Sequence, residues 1–292
     1  MARTAGRMTP WHRAAALRCL LLVSIALSPA CAAAKEAVDL ELVIATDVSY
    51  SIDQAEATLQ REGIAQAFRS DDIVRAITSG MLGRIGVAYI DYSSRVTNRI
   101  VVGWRVISDR ASAEAFAGAL QKEPLTRGMS TSISDAIEQA AAMIESNDLE
   151  GTRRVIDVSG DGPNNFGRYV DAVRDATIAR RITINGLPIL NPNDAWNSRY
   201  YLPDLDLYYR GCVVGGPGAF LVVANSFADY ARAIRRKLVL EIAGLMPDAE
   251  PPWRATLLRA ASPSHLRPSP EGYTYPKGCD IGERMRGYAD DP

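Results

Sequence analysis

The sequence predicts a three-layer α/β fold with a doubly wound, mainly parallel central sheet and one antiparallel edge strand. Runs rich in β-branched and aromatic residues alternate along the chain with segments of helical periodicity, which is typical of a parallel sheet covered on both faces. Two such runs, at 84–92 and 98–107, are separated only by the residues SSRVT. This short connection predicts that these two strands pair antiparallel, because a parallel pair needs a long crossover.

The individual elements are predicted from periodicity. Residues 38–46 (VDLELVIAT) change from alternating to continuously apolar, which favours a central strand. Residues 54–77 have helical periodicity and are expected to form one helix, with Asp53 as its cap. The same patterns predict the other elements, which are strands at 84–92, 98–107, 153–158, 182–187 and 220–224, and helices at 112–120, 132–146, 168–180 and 229–242.

Residues 1–34 have the pattern of a secretory signal peptide. Arginines precede an apolar run at 19–27, and Pro29 leads into the small residues ACAAA. The run is shorter than the about 20 apolar residues of a membrane span. We therefore expect a periplasmic or secreted protein, cleaved near Ala34 and without a membrane span thereafter. An uncleaved anchor and lipid attachment at Cys31 are the alternatives.

The remaining chain is expected to form one domain at 35–245 and a Pro-rich, weakly ordered tail at 246–292. Cys212 and Cys279 would be the cysteines left after export, and an even pair in an oxidising compartment favours a disulfide, with two free thiols as the alternative. The formal net charge of -1 gives no sign of the basic surface typical of nucleic-acid binders, so no nucleic-acid partner is expected.

Hydroxyl and carboxylate side chains cluster in three predicted loops. Two follow strands, as DVSYS and SGDGPNN, and the third, RGMSTSISDAI, leads into a helix. Ligands of open α/β sheets bind where strands end, and hard ions such as Mg²⁺ prefer oxygen ligands. We therefore expect a site for Mg²⁺, or for Mn²⁺ or Ca²⁺, although the first loop alone is also compatible with a turn and helix cap. The candidate ligands are Asp47, Ser49, Ser51, Asp161 and either Ser130 or Thr131.

These motifs resemble the metal-ion-dependent adhesion site of von Willebrand factor type A domains. That family has D-x-S-x-S after its first strand, a Thr ahead of a helix, and an Asp in a Ser/Gly/Asp turn after a later strand. DVSYS matches the first element, Thr131 the second, and Asp161 the third, within SGDG rather than SDG. The resemblance covers residues 38–243 and implies a Rossmann-type sheet. It also implies direct metal contacts from Ser49, Ser51 and Thr131.

By the same resemblance, Asp47 and Asp161 would contact the metal directly or through water. The strings IDVSGDGPNN, YYRGCVVGGPGAF and IRRKLVLEIAG further resemble a bacterial secreted branch of the family with no assigned function. The family resemblance implies a binding module, in which the metal completes its coordination with an Asp or Glu carboxylate of a partner protein and no turnover occurs.

An enzyme is not expected. The two histidines, His12 and His265, lie in the leader and the tail, which disfavours histidine-based and zinc catalysis. A metal-dependent phosphatase-like hydrolase is one alternative. Such an enzyme would need a second Asp two residues after Asp47, and Ser49 occupies that position. A structural envelope domain with an empty site is the other. Asp157 is expected to be structural, and Asp91 to face solvent or to cap.

Overall fold

The computed structural model describes residues 1–2, 34–94, 96–191, 201–245, 266–268 and 273–290. Most of the predicted signal peptide, including Cys31, therefore lies outside the described residues, as does the first part of the predicted tail. Within the described ranges, no helix combines the length and apolar character that crossing a membrane requires.

The described strands are β1 (Glu36–Asp47), β2 (Ile85–Tyr92), β3 (Arg99–Ile107), β4 (Leu149–Gly160), β5 (Thr183–Pro188), β6 (Phe220–Val222) and β7 (Leu266–Pro268). They form one sheet in the order β3-β2-β1-β4-β5-β6-β7. The five inner strands are parallel, whereas β3 and β7 pair antiparallel at the two edges. β1 and β4 are neighbours, so their carboxyl ends lie side by side.

The described helices are α1 (Gln54–Phe68), α2 (Asp71–Thr78), α3 (Arg110–Lys122), α4 (Ile133–Glu145), α5 (Val170–Ile178), α6 (Leu205–Tyr208), α7 (Tyr230–Ala243) and α8 (Ile281–Asp290). A π-helical turn at Tyr209–Val213 continues α6. Apolar residues of α1, α2, α3 and α7 fill one face of the sheet, and those of α4, α5 and the segment from α6 to the π-helical turn fill the other. The predicted three-layer fold with a mainly parallel sheet is therefore confirmed.

Two predictions about local structure are wrong. The single helix expected at 54–77 is divided into α1 and α2, because Ser70 caps the second helix by accepting a hydrogen bond from Ile73 N at 3.4 Å. The Ser70 hydroxyl also donates to Ala67 O at 2.6 Å, which fixes the break. The second error concerns the edge of the sheet, since β7 adds an antiparallel edge strand that the sequence did not predict.

The described parts of the tail have regular structure, contrary to our expectation of weak order. β7 pairs with β6, and α8 follows a segment in which the side chain of Tyr275 is buried. A disulfide joins Cys212, which is buried in the π-helical turn, to Cys279, which lies two residues before the start of α8. The bond attaches the end of the chain to the sheet face that α4 and α5 cover.

A buried cluster of charges lies between α7 and the sheet. Lys237 Nζ lies 2.6 Å from Asp157 Oδ1 and 2.5 Å from Glu241 Oε1, and all three side chains are excluded from solvent. Asn185 Nδ2 donates to Glu241 Oε1 at 2.7 Å. Burial and the negative charge of Asp157 raise the pKa of Glu241 to about 8, and the attraction of Lys237 offsets this only in part. The cluster is therefore close to neutral when Glu241 is protonated.

Glu241→Gln is expected to flatten the dependence of stability on pH. The folded pKa lies above the value of 4.5 for the free side chain, so the contribution of Glu241 is complete below about pH 4.5 and is lost as the pH rises through about 8. We expect this loss to be about 2–4 kcal/mol in the natural protein. Urea unfolding between pH 5 and 9 measures this loss. If the free energy of unfolding changed equally with pH in the variant and in the natural protein, Glu241 would not titrate in this range.

Candidate metal centre

The site begins at the end of β1 with a buried carboxylate. Asp47 is fully excluded from solvent. Ser49 N donates to its Oδ1 at 2.7 Å, and Gln60 Nε2 from α1 donates to its main-chain oxygen at 3.3 Å. Its second carboxylate oxygen, Oδ2, is buried and accepts no hydrogen bond from the described residues. The carboxylate is thus held in place by the following turn, with one oxygen left unsatisfied.

Three side-chain oxygens from two loops lie next to one another above this carboxylate. Ser49 Oγ and Ser51 Oγ are 3.1 Å apart, and Ser51 Oγ donates to Asp161 Oδ1 at 2.8 Å. Asp161 follows β4, and the parallel pairing of β1 with β4 brings the two loops together. Adjacent ligands of an octahedral ion with bonds of 2.0–2.1 Å are about 3.0 Å apart. The measured spacings therefore fit one coordination sphere.

Thr131 is positioned from the loop that leads into α4. The main-chain N of Thr131 donates to Asn165 Oδ1 at 2.9 Å, and the main-chain N of Asn165 donates to the main-chain oxygen of Thr131 at 2.9 Å. A Cβ atom placed on Gly162 would lie 4.0 Å from Thr131 Oγ1, so this hydroxyl faces the turn that carries Asp161. Asn165 was not predicted as a site residue, although it lies in the same turn as Asp161, within SGDGPNN.

The predicted site residues lie in and under one pocket of about 270 Å³. Ser49, Ser51, Thr131 and Asp161 line it, and the buried Asp47 lies beneath. Within the described ranges, no group of three or more His, Cys, Asp or Glu side chains is arranged to hold a metal. An ion in this pocket would therefore depend on hydroxyl oxygens supported by two carboxylates.

The electrostatics of the pocket favour a cation. Burial raises the pKa of Asp47 well above its usual range, and the negative charge of Asp161 raises it further. The inner side is closed by Tyr92 and Tyr209, whose own pKa values burial raises, so they remain neutral phenols. A divalent ion would offset the repulsion between the two carboxylates. The donor set, hydroxyl and carboxylate oxygen, is that of a hard ion, and the residues present therefore fit such an ion.

Gly160 keeps this inner side closely packed. A Cβ atom there would lie 2.7 Å from Tyr92 OH and 2.9 Å from both Asp47 Oδ2 and Tyr209 OH. No real Cβ contacts are this short, so any other residue would move the carboxylate or the phenols. The first glycine of SGDG is thus needed for close approach.

Solved structures of low sequence identity have the same fold. The proximal thread matrix protein 1 (PTMP1) of the mussel byssus is 15% identical, with a TM-score of 0.51, and the alignment covers 72% of this chain and 47% of that one. A PTMP1 structure with a zinc-occupied MIDAS motif gives 15% identity, a TM-score of 0.50 and the same coverage. The pilus adhesin SpaC of Lactobacillus rhamnosus GG, in its open conformation, is 15% identical, with a TM-score of 0.51 and coverage of 71% and 31%. This chain therefore spans less than half the length of these proteins.

The fold is that of a von Willebrand factor type A domain, which confirms the predicted resemblance. A family model described as "Protein of unknown function (DUF1194)" matches residues 37–246, and the chain belongs to this family. No curated protein matches it. At the identities found, the solved structures establish the fold alone.

Proposed function

We propose that this protein is a periplasmic or secreted binding module that holds Mg²⁺ at Asp47, Ser49, Ser51, Thr131 and Asp161. The ion would complete its coordination with an Asp or Glu carboxylate of a partner protein. The observation that carries the proposal is the set of three adjacent oxygens, 3.1 and 2.8 Å apart, above the buried Asp47. When bound, the ion supplies an electrophilic position for an outside anion.

The charge of the donor set supports an anionic ligand. Ser49, Ser51 and Thr131 contribute neutral oxygens, so the two carboxylates balance the ion without excess negative charge. A partner carboxylate then meets no net repulsion. Asp47 also fixes the loop by accepting the hydrogen bond from Ser49 N.

The rim of the pocket supports a protein partner rather than a small anion. Tyr50 and Met129 line the pocket and are 70% and 82% exposed. Phe166, in the loop that carries Asp161, is 40% exposed. Exposed apolar side chains around a polar centre are typical of protein-interaction surfaces. The periplasmic or secreted location rests on the leader pattern in the sequence alone.

The proposed role involves no chemical turnover. The site pairs Asp47 with hydroxyl groups, and Ser49 stands where a phosphatase of this general plan would need a second carboxylate. Hydrolysis of an aryl phosphate with Mg²⁺ by the natural protein, and its loss in Asp47→Asn, would contradict the proposal.

Mg²⁺ or Mn²⁺ is expected to raise the Tm of the natural protein, and Asp47→Asn is expected to abolish the rise. A ligand at 100 times its Kd stabilises the folded state by about 2.7 kcal/mol. Since asparagine has the same size and removes a desolvated charge, the variant without metal should be at least as stable as the natural protein. Differential scanning calorimetry with metal and with EDTA measures both effects.

Asp72→Asn is the matched control for this measurement. Asp72 is an exposed carboxylate on α2 that pairs with Arg75, so its variant should respond to metal like the natural protein. Natural protein that shows neither a thermal shift nor heat on titration with Mg²⁺ or Mn²⁺ would refute the metal site.

A further inference from the structure

Helix α8 packs directly against the loop that carries Asp161. Its start is fixed by the disulfide at Cys279. Asn164 Nδ2 donates to Glu283 Oε1 at 2.7 Å. A Cβ atom on Gly282 would lie 2.0 Å from Asn164 O, so the helix backbone touches the loop backbone at this point. The tail therefore forms part of the wall of the candidate metal centre.

One turn further along α8, Arg286 reaches the pocket. Its Nη1 lies 3.4 Å from Ser130 Oγ and 3.5 Å from the main-chain oxygen of Asn165. Ser130 precedes Thr131 in the chain, and Asn165 is the hydrogen-bond partner of Thr131. The guanidinium carbon lies 4.9 Å from the centroid of the Phe166 ring, which orients the planar group. Arg286 lines the same pocket as the predicted metal ligands.

We propose that Arg286 is a ligand-binding residue that contacts the acidic group bound by the metal. This inference rests on the proposed function above and names a second point of recognition within it. The planar guanidinium matches a carboxylate and forms two parallel hydrogen bonds with it. The ion and Arg286 together select an aspartate or glutamate side chain, and the pocket of about 270 Å³ accommodates one such group.

The alternative role for Arg286 is purely structural, in which it only joins α8 to the loop. The two roles differ in what they predict for the metal. If Arg286 is a ligand-binding residue, its positive charge at the rim only repels the metal ion. Its removal should then leave the affinity for Mn²⁺ unchanged or raise it. Loss of a structural contact would instead disturb the loop that carries Asp161 and lower the affinity for Mn²⁺.

Binding of Mn²⁺ and of a short acidic peptide to the full chain tests the inference. Electron paramagnetic resonance gives the affinity for Mn²⁺, and water-proton relaxation detects acetyl-Gly-Asp-Gly-amide when its carboxylate displaces water from the ion. The same peptide with Asn in place of Asp is the blank. Arg286→Ala is expected to lower the affinity for the aspartyl peptide about tenfold or more with no loss of Mn²⁺ affinity. Arg286→Lys is expected to lower the peptide affinity by a smaller factor.

Three further variants on the same helix complete the test. Arg284 pairs with Asp280 and donates to Lys277 O, so Arg284→Ala should bind peptide like the natural protein. Gly282→Ala introduces the clash with Asn164 and should lower the affinity for both Mn²⁺ and peptide, which is the result expected of a structural disturbance. Gly287→Ala, where a Cβ atom meets nothing within 4 Å, should have no effect.

The outcomes separate the inference from the proposed function. Arg286→Ala that binds the aspartyl peptide as tightly as the natural protein would overturn the inference and leave the proposed function standing. Reduced Mn²⁺ affinity in Arg286→Ala would also overturn it, in favour of the structural role. Natural protein that binds Mn²⁺ but shows no preference for the aspartyl over the asparaginyl peptide would overturn the proposed function, and the inference with it.

Discussion

Lys237→Met is expected to lower the free energy of unfolding by about 3–5 kcal/mol at pH 8. The Lys237 ammonium is fully buried between the carboxylates of Asp157 and Glu241. Methionine is a flexible apolar side chain that can occupy the space against Phe220, whose ring centroid lies 5.5 Å from Lys237 Nζ. The change therefore removes the charge with little loss of packing, and it leaves two buried carboxyl groups without a cation.

The effect of Lys237→Met is expected to shrink as the pH falls. Burial raises the pKa of Glu241 to about 8, so at pH 5 this carboxyl group is protonated and less uncompensated charge remains buried. Urea unfolding at pH 5 and pH 8 measures the difference. Arg232→Met is the control on the same helix, because Arg232 is 76% exposed and pairs only one turn away with Asp229. We expect this control to cost less than about 0.5 kcal/mol, and an equally small cost for Lys237→Met at pH 8 would contradict the role of the cluster.

The sequence predicted the parts of the site that depend on the sheet. DVSYS and SGDG follow β1 and β4, and neighbouring parallel strands necessarily bring their carboxyl ends to one edge. Buried strands are long apolar runs with strong signals, so β1 and its neighbours were found within a few residues. The candidate ligands after β1 and β4 therefore came from local motifs together with one topological rule, whereas the family resemblance pointed to Thr131.

Contacts between distant elements could not be predicted in this way. Asp91 was expected to face solvent or to cap, and this was wrong, because Arg61 from α1 pairs with it at 2.5 Å and both side chains are buried. Periodicity marks which face of an element is apolar, but it does not show which buried charge meets another. Arg286 was missed for the same reason, since nothing in a Pro-rich tail indicates that its helix returns to the sheet.

Removal of the disulfide is expected to destabilise the protein. Cys212→Ala with Cys279→Ala should lower the free energy of unfolding by about 2–5 kcal/mol. The bond closes a loop across a sequence separation of 67 residues, and the chain-entropy model gives about 4 kcal/mol for a loop of that length. Urea unfolding without reductant measures the loss, and the natural protein in dithiothreitol should show the same value.

Hydrogen exchange in the variant that lacks both cysteines shows which segments of the chain the disulfide stabilises. Gly282 and Glu283 hold α8 against the loop of Asn164, and the disulfide fixes the start of that helix. Without it, α8 and residues 161–166 should exchange faster, whereas β1 and β4, which are paired along most of their length, should keep their protection. Unchanged exchange in α8 would mean that noncovalent contacts alone hold the tail on the domain. Faster exchange confined to α8 and this loop would mean that an oxidised disulfide is a condition for the complete wall of the metal centre.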